Sequence, residues 1–161
     1  MKIVYKHGDL MKATEPFVAQ GCNAQGVMGS GIAKLIRAED ENVYTEYRKV
    51  YEQQGNKLHL GQVIPVKSGD RVYLNCITQE FYGRDPARVY VSYEAVREAT
   101  KKINSALSQA VAMPLIGAGL GHGSWKIISE IIEEESTNFQ PVVYLFDGII
   151  PDGVVADVIP V

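Results

Sequence analysis

The chain has two cysteines, three histidines and one tryptophan in 161 residues. Two cysteines make neither a disulfide framework nor a cysteine-built metal site, and both sit in apolar, strand-like runs, so Cys22 and Cys76 read as buried free thiols. No run of His, Asp and Glu has metal-ligand spacing, so no metal and no cofactor is expected. Acidic residues slightly outnumber basic ones, 19 Asp and Glu against 16 Lys and Arg. The net charge is −3, which argues against broad nucleic-acid binding, for which clustered Lys and Arg are needed. No apolar run reaches the roughly 20 residues of a membrane span. The opening Met1-Lys2-Ile3-Val4-Tyr5-Lys6 is too short and too polar for a signal peptide, so the expected location is cytoplasmic. The pattern G-x-x-x-x-G-K-[ST] is absent, which excludes a P-loop nucleotide hydrolase.

What remains is an ordinary globular composition, 46% apolar and 22% charged, in a chain long enough for one domain with a full core. Strand-like runs at Ile3-Val4-Tyr5, at 17–22 and at 141–146 alternate with helical stripes, among them Val43, Tyr44, Tyr47, Val50 and Tyr51. A second stripe places apolar residues at 89, 93, 96, 99, 103 and 107 and predicts a helix from Val89 to Leu107. Runs at 62–66 and 72–77 flank Ser68-Gly69-Asp70 and predict a hairpin. This alternation predicts an α/β fold, a three-layer α/β/α sandwich with a mixed central sheet, over residues 1–161. The segment 148–161 is apolar but broken by Pro151, Gly153 and Pro160, and it reads as an edge segment or an arm.

Two glycine-rich turns carry the functional signal. Gly117-Ala118-Gly119-Leu120-Gly121-His122-Gly123 follows an apolar run and precedes a helix predicted over Trp125 to Glu135. Gly26-Val27-Met28-Gly29-Ser30-Gly31 stands between another strand and another helix. Such loops expose backbone N–H groups and let an anion approach the main chain. Two of them, each entering a helix beyond the carboxyl end of a strand, predict a two-sided clamp on a phosphorylated ligand such as a diphosphate. His122 lies in the second loop, flanked by glycines, and is the acid–base candidate; the competing reading is a solvated loop histidine. His7 and His59 have weaker claims.

Three stretches carry a family resemblance: Gly8-Asp9-Leu10; Asn23-Ala24-Gln25-Gly26 leading into Gly29-Ser30-Gly31-Ile32-Ala33; and Met113-Pro114-Leu115-Ile116-Gly117-Ala118-Gly119-Leu120 before Trp125. In order and spacing the chain resembles a macro domain, the ADP-ribose-binding module. Within that family it looks most like the small yeast-type and phage-type ADP-ribose 1″-phosphate phosphatases. The resemblance implies ADP-ribose or its 1″-phosphate as ligand; the residues themselves add the expectation of hydrolysis without a metal, with His122 as acid or base and Asn23 orienting the attacking water as catalytic residues. It implies adenine recognition by Asp9 beside Leu10, and ribose contacts from Asn23. It further implies backbone wrapping of the diphosphate by Gly29, Ser30, Gly31 and Ile32 and by Gly117, Ala118, Gly119, Leu120 and Gly121. Thr78 would line the site, and Tyr82 or Phe146 would stack on adenine. For Asp9 and Asn23 the competing readings are a turn cap and an Asn bonding its own loop.

Two other functions stay open. The glycohydrolase branch of the family uses a Lys and an Asp at positions that here read Gln79, after Thr78, and Gly121, after Leu120. A Lys nucleophile cannot be replaced by Gln. A binder or sequesterer of ADP-ribose, or of another NAD-derived nucleotide, would need only the clamp.

Overall fold

The structure, a computed structural model, describes residues 1–161. Seven strands form one sheet: β1 (Val4–His7), β2 (Phe17–Asn23), β3 (Val63–Ser68), β4 (Arg71–Gln79), β5 (Ala110–Met113), β6 (Gln140–Leu145) and β7 (Val158–Pro160). Their order is β3-β4-β2-β5-β6-β1-β7. Only β3 is antiparallel to its neighbour, across the turn at Gly69-Asp70. Every other pair is parallel. The carboxyl ends of β1, β2, β4, β5 and β6 therefore share one edge of the sheet.

Four helices cover the two faces: α1 (Gly31–Glu39), α2 (Glu41–Gln53), α3 (Tyr93–Ala106) and α4 (Trp125–Glu135). The side-chain alternation of the strands divides the core between them. Leu74, Cys76, Val111 and Val143 pack with Val96 and Ile103 of α3 and Ile128 and Ile132 of α4. Tyr73, Ile77, Ala112 and Val142 face the other way, onto Ile36 of α1 and Val43 and Tyr47 of α2. This is the three-layer sandwich with a mixed sheet. The hairpin, the paired strand–loop–helix units and the helix after the second glycine loop lie where the pattern puts them.

One boundary differs. The third helix begins at Tyr93, not at Val89. Ser92 is its cap, extended at φ −98° and ψ 116°, and its Oγ accepts from the Ala95 N–H at 3.1 Å. Val91 is held extended by a bridge to Gln79, and Val89 is exposed. The stripe continued past the cap by coincidence of spacing. The C-terminal segment is an edge strand. β7 runs parallel to β1, with Tyr5 opposite Val158 and His7 opposite Pro160. On the way, Ile150 and Val154 pack against the α3–α4 side of the core. No helix is long and apolar enough to cross a membrane.

A hydrogen bond ties α4 to the sheet. Trp125 Nε1 donates to Tyr5 Oη at 3.0 Å, with both side chains buried. Burial pushes the Tyr5 hydroxyl above its ordinary range, so it stays neutral. Trp125→Phe leaves that hydroxyl without its donor in the core. The expected cost is about 1–3 kcal/mol in urea unfolding. In the double variant with Tyr5→Phe the loss is expected to be smaller than the sum of the two singles.

Candidate ligand-binding cleft

The first glycine turn is built on Asn23, the last residue of β2. Asn23 Oδ1 accepts from the Gln25 N–H at 3.0 Å and from the Val27 N–H at 3.4 Å, while Nδ2 donates to the Val27 carbonyl at 2.8 Å. Tyr47 of α2 reaches up through the core and donates to the Asn23 backbone carbonyl at 2.6 Å. Tyr47 is fully buried, and that burial holds its hydroxyl protonated far above the ordinary tyrosine range. The side chain of Asn23 is thus spent on its own loop, leaving one Nδ2 hydrogen uncommitted. Of the two readings of Asn23, the loop-bonding one describes the geometry, and a catalytic role has only that hydrogen to work with.

Beyond this hub the chain offers main-chain donors. None of the N–H groups of Gly29, Ser30, Gly31 and Ile32 meets a protein acceptor, because they open α1 and have no preceding turn. Gly31 holds φ +58°, a conformation that favours glycine. A Cβ there would come within 3.2 Å of Leu120 Cδ1, so the two glycine loops touch at this point. In the second loop the N–H groups of Gly119, Leu120 and Gly121 are likewise free of protein partners.

Between the loops lies a cleft of about 420 Å³, the size range of small-molecule sites. Of the residues expected at the site, Asn23, Gly29, Ser30, Tyr82 and Leu120 line it. Gly31 and Ile32 follow Ser30 as the start of α1, and Gly117, Ala118, Gly119 and Gly121 are chain neighbours of Leu120, but these six do not themselves line the cleft. Asp9 and Phe146 stand farther along the same edge, at the ends of β1 and β6. Asp9 is a cap: its Oδ1 accepts from the Met11 N–H at 2.9 Å. Phe146 is 81% exposed.

Three more residues expected at the site stand away from the cleft lining. Leu10 is buried in the α1–α2 side of the core, so its side chain is not offered to a ligand. Thr78 is buried too. The ladder between β2 and β4 pairs Cys22 with Ile77 and Asn23 with Gln79, skipping Thr78. Alternation along β4 puts Thr78 on the Cys76 face, toward Val96 and Ile132, and Gln79 on the Ile77 face, in the cleft. His122 does not line the cleft. At φ +57° its Nδ1 sits 2.8 Å from the Arg88 carbonyl oxygen, which fixes the proton on Nδ1. Its neighbouring glycines do not give it reach. A Cβ on Gly121 would lie 2.6 Å from the Gly117 carbonyl oxygen, so these glycines serve close packing of the loop on itself.

The lining also takes in Gln79, the last residue of β4, and two residues that carried no expectation, Gly83 and Arg84, on the segment after β4. That segment is bound to the second glycine loop, because the Tyr90 and Val91 N–H groups both donate to the Gly121 carbonyl, at 2.8 and 3.1 Å. Arg84 is the one charged side chain of the lining. Cys22 also lines the cleft, but burial, aided by Cys76, pushes its thiol well up, and Cys76 is pushed up to about 12. Neither thiol is a nucleophile at neutral pH. Nowhere do three His, Cys, Asp or Glu side chains converge as a metal site.

The geometry has counterparts. The Macro domain family model matches residues 19–132. The chain is 27% identical over 154 residues to the uncharacterized 17.5 kDa protein of the tk-vs intergenic region of Enterobacteria phage T4, covering 89% of this chain and 96% of that one. It is 29% identical over 150 residues to the Bos taurus ADP-ribose glycohydrolase OARD1, covering 89% and 91%. A DNA ADP-ribosyl glycohydrolase of Thermus aquaticus is 25% identical over 134 residues; the match covers 81% of this chain but only 36% of that protein. Among solved structures, a Bacteroides thetaiotaomicron protein of unknown function superposes with a TM-score of 0.78 at 28% identity, covering 89% of this chain and 98% of that one. The macrodomain of Thermus aquaticus DarG superposes at 0.74 and 23% identity, covering 89% and 97%. The chain belongs to the Macro domain family.

Asn23→Ala removes the struts of the first loop and is expected to cost about 1–3 kcal/mol of stability in thermal or urea unfolding. In the folded protein at pH 8 neither Cys22 nor Cys76 is expected to react with iodoacetamide over minutes, whereas both react in denaturant. Mass spectrometry of the intact chain distinguishes the two.

Proposed function

We propose that this macro domain binds ADP-ribose in the cleft and hydrolyses a bond at the distal ribose of an ADP-ribosyl compound. One observation supports this above the rest: the backbone N–H groups at 29–32 and 119–121 have no protein acceptors, and their two loops meet at Gly31 and Leu120 and contribute Gly29, Ser30 and Leu120 to the cleft. A diphosphate accepts from both runs at once and needs no lysine or metal to be held. The hydrolase reading draws support from relatives described as ADP-ribosyl and ADP-ribose glycohydrolases.

A lysine nucleophile finds no support in the cleft lining. Gln79 occupies the cleft position where the resemblance asks for Lys, and the lining contains no Lys, His, Asp or Glu. The chemistry left is attack by water on a ribose carbon or a phosphorus held in place by main-chain donors, that is, positioning with charge stabilisation. The same residues favour a second reading, the ADP-ribose 1″-phosphate phosphatase, in which the scissile group is a terminal phosphate. Here Gln79 and Gly121 are no handicap, and a cation in the cleft is an asset. In either reaction His122 acts through the loop it fastens at Arg88, not as the acid or base.

The test is calorimetric titration of ADP-ribose together with product analysis on ADP-ribose 1″-phosphate and on an ADP-ribosylated oligonucleotide. Binding with release of ADP-ribose from the oligonucleotide supports the glycohydrolase; phosphate release supports the phosphatase. Binding without turnover reduces the protein to a reader of ADP-ribose, and absence of binding refutes the clamp. Gly119→Val probes the clamp, since a Cβ there meets nothing within 4 Å and Gly119 does not need a positive φ. It is expected to weaken ADP-ribose binding at least tenfold, or about 1.4 kcal/mol, with Tm unchanged. His122→Ala is expected to lower kcat/KM less than tenfold, far short of the roughly 10²- to 10⁴-fold loss of a general acid or base.

A further inference from the structure

Arg84 stands out among the cleft-lining side chains because nothing in the protein claims it. It makes no salt bridge, and its guanidinium donates no hydrogen bond to any protein group. The adjacent Asp85 does not take it: its Oδ1 accepts from the Ala87 N–H at 3.0 Å. Glu80 contributes its backbone carbonyl, which accepts from Gln25 Nε2 at 3.1 Å. By contrast, Arg37, Arg48 and Arg97 all pair with glutamates.

The loop that carries Arg84 is braced. Tyr90 Oη accepts from the Asp85 N–H at 3.0 Å, and Gln79 Nε2 donates to the Phe81 carbonyl at 2.7 Å. Arg88 lies over the rings of Phe81 and Tyr90, 5.2 and 5.0 Å from their centroids, and also lacks a carboxylate partner. His122 holds the Arg88 carbonyl. A chain with an excess of acidic residues thus keeps two unpaired arginines on one tethered loop, and one of them lines the cleft beside Asn23, Ser30 and Tyr82.

Resting on the reading of the cleft as an ADP-ribose site, we propose that Arg84 is a specificity-determining residue for a substrate that carries a phosphate beyond the distal ribose. The diphosphate is already served by the N–H groups of the two loops. A free planar fork of five N–H donors matches a further phosphate oxygen pair, which it would hold by charge-assisted bonds. Two sources supply that chemistry: a terminal 1″-phosphate, or the phosphodiester backbone of a nucleic acid attached to the ribose. For the second source, half-exposed Phe81 and Tyr82 offer ring faces for a base.

The test uses the full chain with three probes: ADP-ribose, its non-hydrolysable 1″-phosphonate analogue, and a short single-stranded oligonucleotide titrated into ADP-ribose-saturated protein. Wild type is expected to hold the phosphonate at least tenfold tighter than ADP-ribose, or to bind the oligonucleotide in a salt-dependent way. Arg84→Gln is expected to abolish that gain while leaving ADP-ribose affinity within twofold and Tm unchanged. Arg84→Lys, which keeps the charge but not the fork, is expected to recover part of it. Loss on the phosphonate alone assigns the small monoester; loss on the oligonucleotide alone assigns nucleic acid. A wild type that binds neither phosphate probe better than ADP-ribose, or an Arg84→Gln variant weakened equally for ADP-ribose, overturns the assignment. Failure of wild type to bind ADP-ribose at all instead refutes the cleft reading on which it rests.

Discussion

Parallel pairing of β2 with β4 on one side and β5 on the other brings three distant chain segments to one edge of the sheet. Each strand must then hand over to a loop at that edge, because a parallel neighbour can be reached only by crossing the sheet through a helix. The first glycine turn follows β2, the second follows β5, and the arginine-bearing loop follows β4. Their proximity is a consequence of strand direction. The one antiparallel strand, β3, lies at the outer border and sends its turn to the opposite edge.

The second level of organisation is the assignment of backbone partners. Buried or crowded main-chain groups must be satisfied somewhere. In the first loop Asn23 and Tyr47 do this work from inside the protein. In the second, the Gly121 carbonyl takes two N–H groups from the β4–α3 loop, and the Gly117 carbonyl takes the Gly123 N–H at 2.7 Å. What these arrangements leave over is a set of N–H groups without protein partners in each loop. Main-chain donors of this kind reconcile an anion clamp with a net negative protein, and they make the single lining cation, Arg84, conspicuous.

The layers and the sheet were legible because period-two and period-3.6 patterns are long in this chain. The glycine loops were legible because few other roles need glycine at such density. Local exceptions were not. Val89 continues the apolar spacing of α3, and only the Ser92 cap and the bridge to Val91 reveal the true start. Which face of β4 meets the cleft was not readable, so Thr78, on the Cys76 face, was expected where Gln79, on the Ile77 face, stands. His122 looked mobile because glycines flank it, yet those glycines are packing contacts. Arg84 was readable in principle: Gly83 and Pro86 mark a loop directly after a strand whose carboxyl end meets the glycine turns.

The central claim is that the two glycine loops act as one clamp on a diphosphate. It is tested most directly by following backbone amide resonances while ADP-ribose is added. The account predicts that the amides of residues 29–32 and 119–121 move together, with one saturation curve. Shifts confined to one loop, or centred on residues away from the cleft, would contradict it.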